Sequence, residues 1–278
     1  MRVRLWLPVG LVVAVVATVL ITSFGRDPWR TGCTGPLTAP GNPTGSAAAV
    51  RKAVDESARG ASIGYEVVDL SSCQVVAGVN AQQRFASASV VKLLIALDAL
   101  ERQGEAAEDL VERMLTVSDD NAASALWTAQ GGPQIVQRMA DKLKLGGVRP
   151  PKKAGQWGDT QLTAHDVALV YRHISAVASR EHRQLLTTSM AAAPRTAADG
   201  FDQHFGIPDG LQGARWAIKQ GWGSSAERTM VHTTGLVGGD HQYVVVLLTS
   251  WPEGMDRRAA GRALTAGIGR VSEPVSPA

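Results

Sequence analysis

Ser89 and Lys92 stand three places apart in the run Phe85-Ala-Ser-Ala-Ser-Val-Val-Lys-Leu-Leu-Ile-Ala-Leu, in which Lys92 is the only charge. A helix apolar on nearly every side is normally buried, and burial disfavours an ammonium, leaving a neutral amine that can act as a base. Positions i and i+3 share a helix face. Ser89 and Lys92 can therefore touch: a nucleophilic hydroxyl beside a group able to take its proton. A serine near a helix start also faces the direction in which first-turn N–H groups point, where a developing oxyanion can be held.

Two further stretches could complete such a site. Thr116-Val-Ser-Asp-Asp-Asn-Ala-Ala opens an amphipathic helix, and capping alone could account for its Ser118-Asp119-Asp120-Asn121 run. Trp216-Ala-Ile-Lys-Gln-Gly-Trp reads as a strand ending in Lys219-Gln220-Gly221. An ammonium there sits at a sheet edge beside a residue without Cβ, which a substrate backbone can approach closely. The Lys144 and Lys153 triplets also end in glycine, but one closes a helix and the other lies in a loop. The histidines (His165, His173, His182, His204, His232, His241) are scattered without ligand spacing, so no metal and no cofactor is expected.

The elements that must bring these stretches together follow from periodicity. A helix is predicted over 46–58, strands over 62–70 and 74–79, then helices over about 88–102, 107–116, 120–129, 132–144 and 163–178. The segment from Gly146 to Gly158 has the turn residues of a surface loop. Strands return at 215–222, 228–237 and 241–249, and a last helix covers about 255–268. Strands at both ends with helices between them imply one sheet assembled from distant segments, an α+β fold.

Taken in order, Ser89-x-x-Lys92, Ser118-x-Asp120 and Lys219-x-Gly221 resemble the Ser-x-x-Lys, Ser-x-Asn and Lys-Thr/Ser-Gly motifs of the serine β-lactamases and penicillin-binding proteins. The class A-like branch is the most similar, since Gly158-Asp159-Thr160 before a helix at Thr163 is similar to the end of that branch's omega loop. The resemblance covers nearly everything after residue 46. It implies a β-lactamase/transpeptidase-like α+β domain: a five-stranded antiparallel sheet flanked by N- and C-terminal helices, plus a reduced all-helical subdomain over about 87–212. It also implies that Ser89 is the acylated nucleophile, Lys92 its base, and Ser118 a proton relay to the leaving nitrogen. Lys219 would attract a substrate carboxylate, and the N–H groups of Ser89 and Trp222 would form the oxyanion hole. Asp120, Asn121, Gln220 and Gly221 complete the expected substrate contacts.

Three departures from the motifs alter chemistry. Asp120 stands where the family has an amide; a carboxylate only accepts hydrogen bonds and would hold Lys92 as a cation. Either Asp120 or, after a local shift, Asn121 could occupy the site. Gln220 replaces a hydroxyl residue, which weakens the short contact to a substrate carboxylate; Arg228 is a substitute guanidinium or simply an exposed arginine. No glutamate occurs between Glu112 and Glu181, so the water-activating residue of the class A omega loop is missing and turnover should be slow. Asp159 is the nearest carboxylate, at a place similar to the residue that braces the loop. Of the later tryptophans, Trp222 is expected to form a cleft wall.

The chain has a formal charge of +3, with Arg2, Arg4 and Arg26 near its start and no basic patch interleaved with aromatics, so nucleic acid is excluded as a partner. Leu5 to Phe24 carries no charge and is long enough to cross a bilayer, with residues 1–4 cytoplasmic. It is either an uncleaved membrane anchor or a signal peptide; both place the domain from residue 46 outside the cytoplasm. Residues 25–45 read as a flexible linker. The only two cysteines, Cys33 and Cys73, form one disulfide or remain two thiols. A monomer is expected, acting on β-lactams or D-alanyl-type peptidoglycan substrates through Ser89. The alternative is a degraded member that keeps the fold as an envelope binding or scaffolding module.

Overall fold

The computed structural model describes residues 31–39, 45–225, 227–239 and 242–272. The domain opens with α1 (Ala47–Ser57), β1 (Ser62–Asp69), β2 (Gln74–Val79) and the short β3 (Phe85–Ala86). Helices follow: α2 (Lys92–Gln103), α3 (Glu108–Thr116), α4 (Asp120–Ala129) and α5 (Pro133–Leu143). After the loop come β4 (Gln161–Leu162), α6 (Ala164–Arg172), α7 (Arg180–Ala191) and the one-turn α8 (Ile207–Gly210). The chain closes with β5 (Trp216–Ile218), β6 (Gly221–Ser224), β7 (Arg228–Val237), β8 (Tyr243–Pro252) and α9 (Arg257–Ile268).

The antiparallel main sheet runs β2-β1-β8-β7-β5, with β6 also on β7. β5 and β6 share one register against β7, from Trp216 opposite Val237 to Gly221 opposite His232, so they are two halves of one edge strand. The expected fifth strand is therefore present but interrupted at Lys219 and Gln220. β8 lies at the centre and is buried on both faces, which is why it reads as an unbroken β-branched and apolar run. Its residues alternate between two cores. Val244, Val246 and Leu248 face the helical side with α2 to α7, whereas Val245 and Leu247 face α1 and α9. The two terminal helices cross closely because Gly267 lacks a Cβ; one there would lie 2.6 Å from a methyl of Val54.

α2 is the central helix of the other layer, with every residue from Lys92 to Leu100 buried. Its one buried carboxylate, Asp98, is met bidentately by Arg138 at 2.8 and 2.6 Å. The expected helix over 163–178 is α6 followed by a π turn at His173–Val177, where the Ser175 hydroxyl donates to Tyr171 O at 2.9 Å.

Cys33 and Cys73 are disulfide-bonded, with Cα atoms 5.1 Å apart. Closing a loop of this length stabilises the fold by on the order of 4 kcal/mol in the chain-entropy model. Residues 31–39 are not a free spacer: Cys33 is fully buried and Thr38 pairs with Gln74. Residues 25–30 and 40–44 of the expected linker, and the apolar segment Leu5–Phe24 read as anchor or signal peptide, lie outside the described residues. Among the described residues, no helix is long and apolar enough to cross a membrane.

Candidate active site

Ser89 sits in a 3-10 turn, Ala88–Val91, that runs directly into α2. Ala88 is held at φ +45°, a conformation that costs a non-glycine residue energy and persists where surroundings impose it. Those surroundings are visible. Ser87 donates its N–H to Thr160 O at 2.8 Å and its hydroxyl to Gly158 O at 3.2 Å. His232 donates from Nε2 to Ala86 O at 2.8 Å and accepts the Thr249 N–H at Nδ1 at 3.1 Å, which fixes its neutral tautomer. Ser89 is 6% exposed and lines a cleft of about 580 Å³ together with Ser118, Asp120, Trp157, Asp199 and Trp222.

Lys92 is fully buried beneath that cleft. The expected contact with Ser89 is not its bond: among the described residues Ser89 Oγ makes no hydrogen bond, and Lys92 Nζ turns to the start of α4 instead. It donates to Ser118 O at 2.7 Å, Ser118 Oγ at 3.1 Å and Asp120 Oδ1 at 2.5 Å. Ser118 stands at φ +56°, which brings its carbonyl and hydroxyl to the same amine. Burial pushes Lys92 below the usual lysine range, opposed by the Asp120 carboxylate. Asp119 caps α4 by accepting the N–H groups of Asn121 and Ala122, so the capping role belongs to Asp119 and leaves Asp120 for the site. Asn121 is exposed and outside the cleft lining, so it is Asp120 that occupies the amide position.

Lys219 comes from the break between β5 and β6 and is 1% exposed. Its Nζ lies 3.0 Å from Ser118 Oγ and 3.0 Å from Gln220 O, within hydrogen-bond distance of both. Burial, and after it the charge on Lys92, hold this amine well below its ordinary pKa. Ser118 Oγ thus bridges both lysines. Being enclosed, Lys219 cannot meet a substrate carboxylate directly, as the motif implied.

Gln220 is also placed differently from expectation. Its amide donates to Gln203 O at 3.2 Å and Phe205 O at 2.7 Å and accepts from Thr234 N–H at 3.2 Å, so it braces the strand break and is 1% exposed. Gly221 serves packing as well: a Cβ would lie 3.0 Å from both Ser87 O and a methyl of Val90, so the glycine lets β6 lie against the Ser89 turn. In the ladder with β7, Lys219 N donates to Thr234 O and Ser225 N to Arg228 O, both within 2.9 Å. Antiparallel alternation then directs the Trp222 N–H off the free edge of β6.

Trp222 walls the cleft, its indole N–H donating to Asp199 Oδ2 at 2.8 Å and its ring stacked on Phe201 at 5.0 Å. Trp157 lies across from it, 5.0 Å from Lys92 Nζ, with its own N–H on Ser124 Oγ. Asp159 is not a brace: it is exposed, lines the cleft, and its carboxylate makes no hydrogen bond among the described residues. The loop is fastened by Asp166, which accepts from Gly147 N and Thr163, and by Trp127 Nε1 donating to Ala154 O at 2.7 Å. Arg228 is exposed and lines a neighbouring groove.

Sequence reasoning missed Asp199 and Arg257, both on the cleft. Asp199 lies in a loop without periodicity. Arg257 is the first residue of α9, exposed, with its guanidinium 5.4 Å from the Phe201 ring; only the packing of α9 beside the cleft reveals it.

A model of the beta-lactamase enzyme family matches residues 103–272. "Putative lipoprotein LppW" of Mycobacterium tuberculosis is 34% identical over 215 residues, 73% of this chain and 68% of that protein, and its Mycobacterium bovis counterpart matches equally. Among solved structures, a class A β-lactamase from Mycobacterium abscessus has a TM-score of 0.66 at 19% identity, over 81% of this chain and 97% of its own. A class A β-lactamase from Bacteroides cellulosilyticus also scores 0.66, at 13% identity over 82% and 97%. The structure of PBP-A scores 0.63 at 18% identity, over 85% and 97%. By its sequence match and by its class A-type fold, the chain belongs to the beta-lactamase enzyme family.

Proposed function

We propose that this protein is an extracytoplasmic serine acyl-transfer enzyme that forms an acyl-enzyme on Ser89 with β-lactams or D-alanyl-type peptides and releases it slowly. The observation that carries this reading is Ser118 Oγ, bonded to Lys92 and Lys219 at 3.1 and 3.0 Å, in the cleft that Ser89 lines. A hydroxyl between two buried amines is a path for a proton, which an attack by Ser89 must discharge and a leaving nitrogen must receive. The N–H groups of Ser89 and Trp222 are the donors available to the oxyanion, each such donor commonly contributing about 3 to 4 kcal/mol. Arg257 supplies positive charge on the cleft surface for a substrate carboxylate.

Slow release follows from what faces the acyl group. The loop from Gly146 to Gly158 has no acid, and Asp159 stands in solvent at its end. Action outside the cytoplasm is supported by the disulfide and by the lipoprotein name of the mycobacterial relatives. A second reading, an envelope binding module without acylation, is favoured by the Lys92–Asp120 ion pair, which ties up the motif lysine.

Fluorescent penicillin incubated with the full-length chain, followed by denaturing electrophoresis, tests the proposal. A labelled band that vanishes in Ser89→Ala supports it. No label on a folded parent supports the binding module.

A further inference from the structure

The two lysines that share Ser118 are not equivalent. Lys92 Nζ meets three acceptors, Ser118 O, Ser118 Oγ and Asp120 Oδ1, at 2.7, 3.1 and 2.5 Å. An ammonium has three donors and accepts nothing, so each of its protons is placed. Lys219 Nζ has two partners, Gln220 O and Ser118 Oγ, each at 3.0 Å. Among the described residues it is paired with no carboxylate.

Ser118 decides the direction of the remaining bond. Its hydroxyl accepts from Lys92 and still has a proton of its own to donate. A neutral Lys219 has a lone pair to take it, and gives one of its N–H groups to Gln220 O. With Lys219 charged, both lysines would donate to the hydroxyl, and its proton would have to turn out of the cluster into the cleft that Ser118 lines. We infer that Asp120 keeps Lys92 as a fixed cation, and that Lys219 is the neutral amine that takes the Ser118 proton and so serves as the base for acylation.

The surroundings agree. The groups facing Lys219 are the Lys92 ammonium from α2, Asp120 from α4, Asp199 from the loop before α8, and the Tyr171 hydroxyl from α6, which accepts the Lys219 backbone N–H at 3.2 Å. Burial and Lys92 disfavour its charge, and they outweigh the two carboxylates. The Trp222 ring, 5.9 Å away, is at the outer limit of a useful cation–π contact. The substitution of Asp120 for the family's amide is thus what assigns the roles.

The inference rests on the acyl-enzyme reading for its chemistry, and the step balances. Ser89, which shares the cleft with Ser118 and has no hydroxyl partner among the described residues, turns to Ser118 Oγ and gives it a proton as Ser118 gives its own to Lys219 Nζ, and the Ser89 Oγ–C bond forms while the carbonyl electron pair moves to oxygen. When the oxygen electron pair re-forms the carbonyl, the C–N bond breaks with its electrons on nitrogen, and the nitrogen takes a proton from Ser118, which recovers one from Lys219. No proton is gained or lost.

The test is nitrogen NMR of the full-length chain carrying ¹⁵N-labelled lysine, titrated from pH 5 to 9. The two buried Nζ signals are assigned with Lys92→Arg and Lys219→Arg; one variant that folds is enough, since the buried signal it leaves belongs to the other lysine. An ammonium signal for Lys92 and an amine signal for Lys219 at pH 7 are expected. Asp120→Asn should move the Lys92 titration downward. Two ammonium signals at pH 7, or an amine on Lys92 instead, would overturn the assignment. The readout needs no substrate, so failure of acylation and failure of this assignment are seen separately. Where acylation occurs, its rate should rise with pH along the Lys219 titration; a rate that ignores it overturns the base role.

Discussion

Gly221 and the carbonyl oxygen of Ser87 are so close that a Cβ on the glycine would stand 3.0 Å from that oxygen. This approach seats β6 against the turn carrying Ser89 and sets where the Trp222 N–H lies relative to that serine. Gly221→Ala must push strand and turn apart against Val90 and His232 as well. The expected cost is about 1 to 3 kcal/mol in denaturant unfolding, the range of overpacked cores, with acylation reduced at least about tenfold. Parental stability and rate together would show that the approach is not tight.

Asp120 replaces an amide donor with a carboxylate that cannot donate. Asp120→Asn restores a donor to the cleft and removes a negative charge from it. The second-order rate of penicillin acylation should rise by about tenfold, the worth of one hydrogen bond. A fall in that rate would mean that the Lys92–Asp120 pair is needed more than the lost donor.

The sheet and most helices were legible because their periodicities are strong: β7 was predicted over 228–237 and spans Arg228–Val237. α7 was not, since Arg180–Ala191 has only Leu186 and Met190 as buried large apolar residues, among Thr187, Thr188 and Ser189. Tertiary packing makes it a helix. The site residues were recognisable by type and order, but not their pairings. Ser89 and Lys92 are three apart, yet a 3-10 turn and three acceptors around Ser118 draw the amine elsewhere. Gln220 was misplaced because a strand pattern does not show a break, and Asp199 and Arg257 reach the cleft only through packing.

Arg257 stands exposed at the cleft. An exposed charge contributes at most about 1 kcal/mol. Arg257→Ala should therefore slow acylation by carboxylate-bearing penicillins about three- to fivefold, with a smaller effect at high salt. Neutral ester substrates should be unaffected. Equal slowing of both would remove the guanidinium from carboxylate recognition.

His232 is fully enclosed, and burial lowers its pKa from 6.5 to about 4. The folded state binds its proton less readily than the unfolded one. Its contribution is complete above pH 6.5 and is lost as pH falls toward 4, at most about 3 kcal/mol. His165 acts oppositely: its bond to Glu66 raises its pKa, so that contribution is present at low pH and lost as pH rises through the raised value. Urea unfolding between pH 4 and 7 should show a falling midpoint on the acid side that flattens in His232→Gln. An acid slope that persists unchanged in the variant would assign it to other groups.

Acylation of Ser89, and persistence of the acyl group once formed, are what the proposed function requires. Intact-mass measurement of the full-length chain during incubation with benzylpenicillin, beside Ser89→Ala, reads both parts at once. A mass increase of one penicillin is expected on the parent, retained long after excess drug is removed, and none on the variant. A folded parent that never gains mass, or an adduct that also forms on Ser89→Ala, would contradict it.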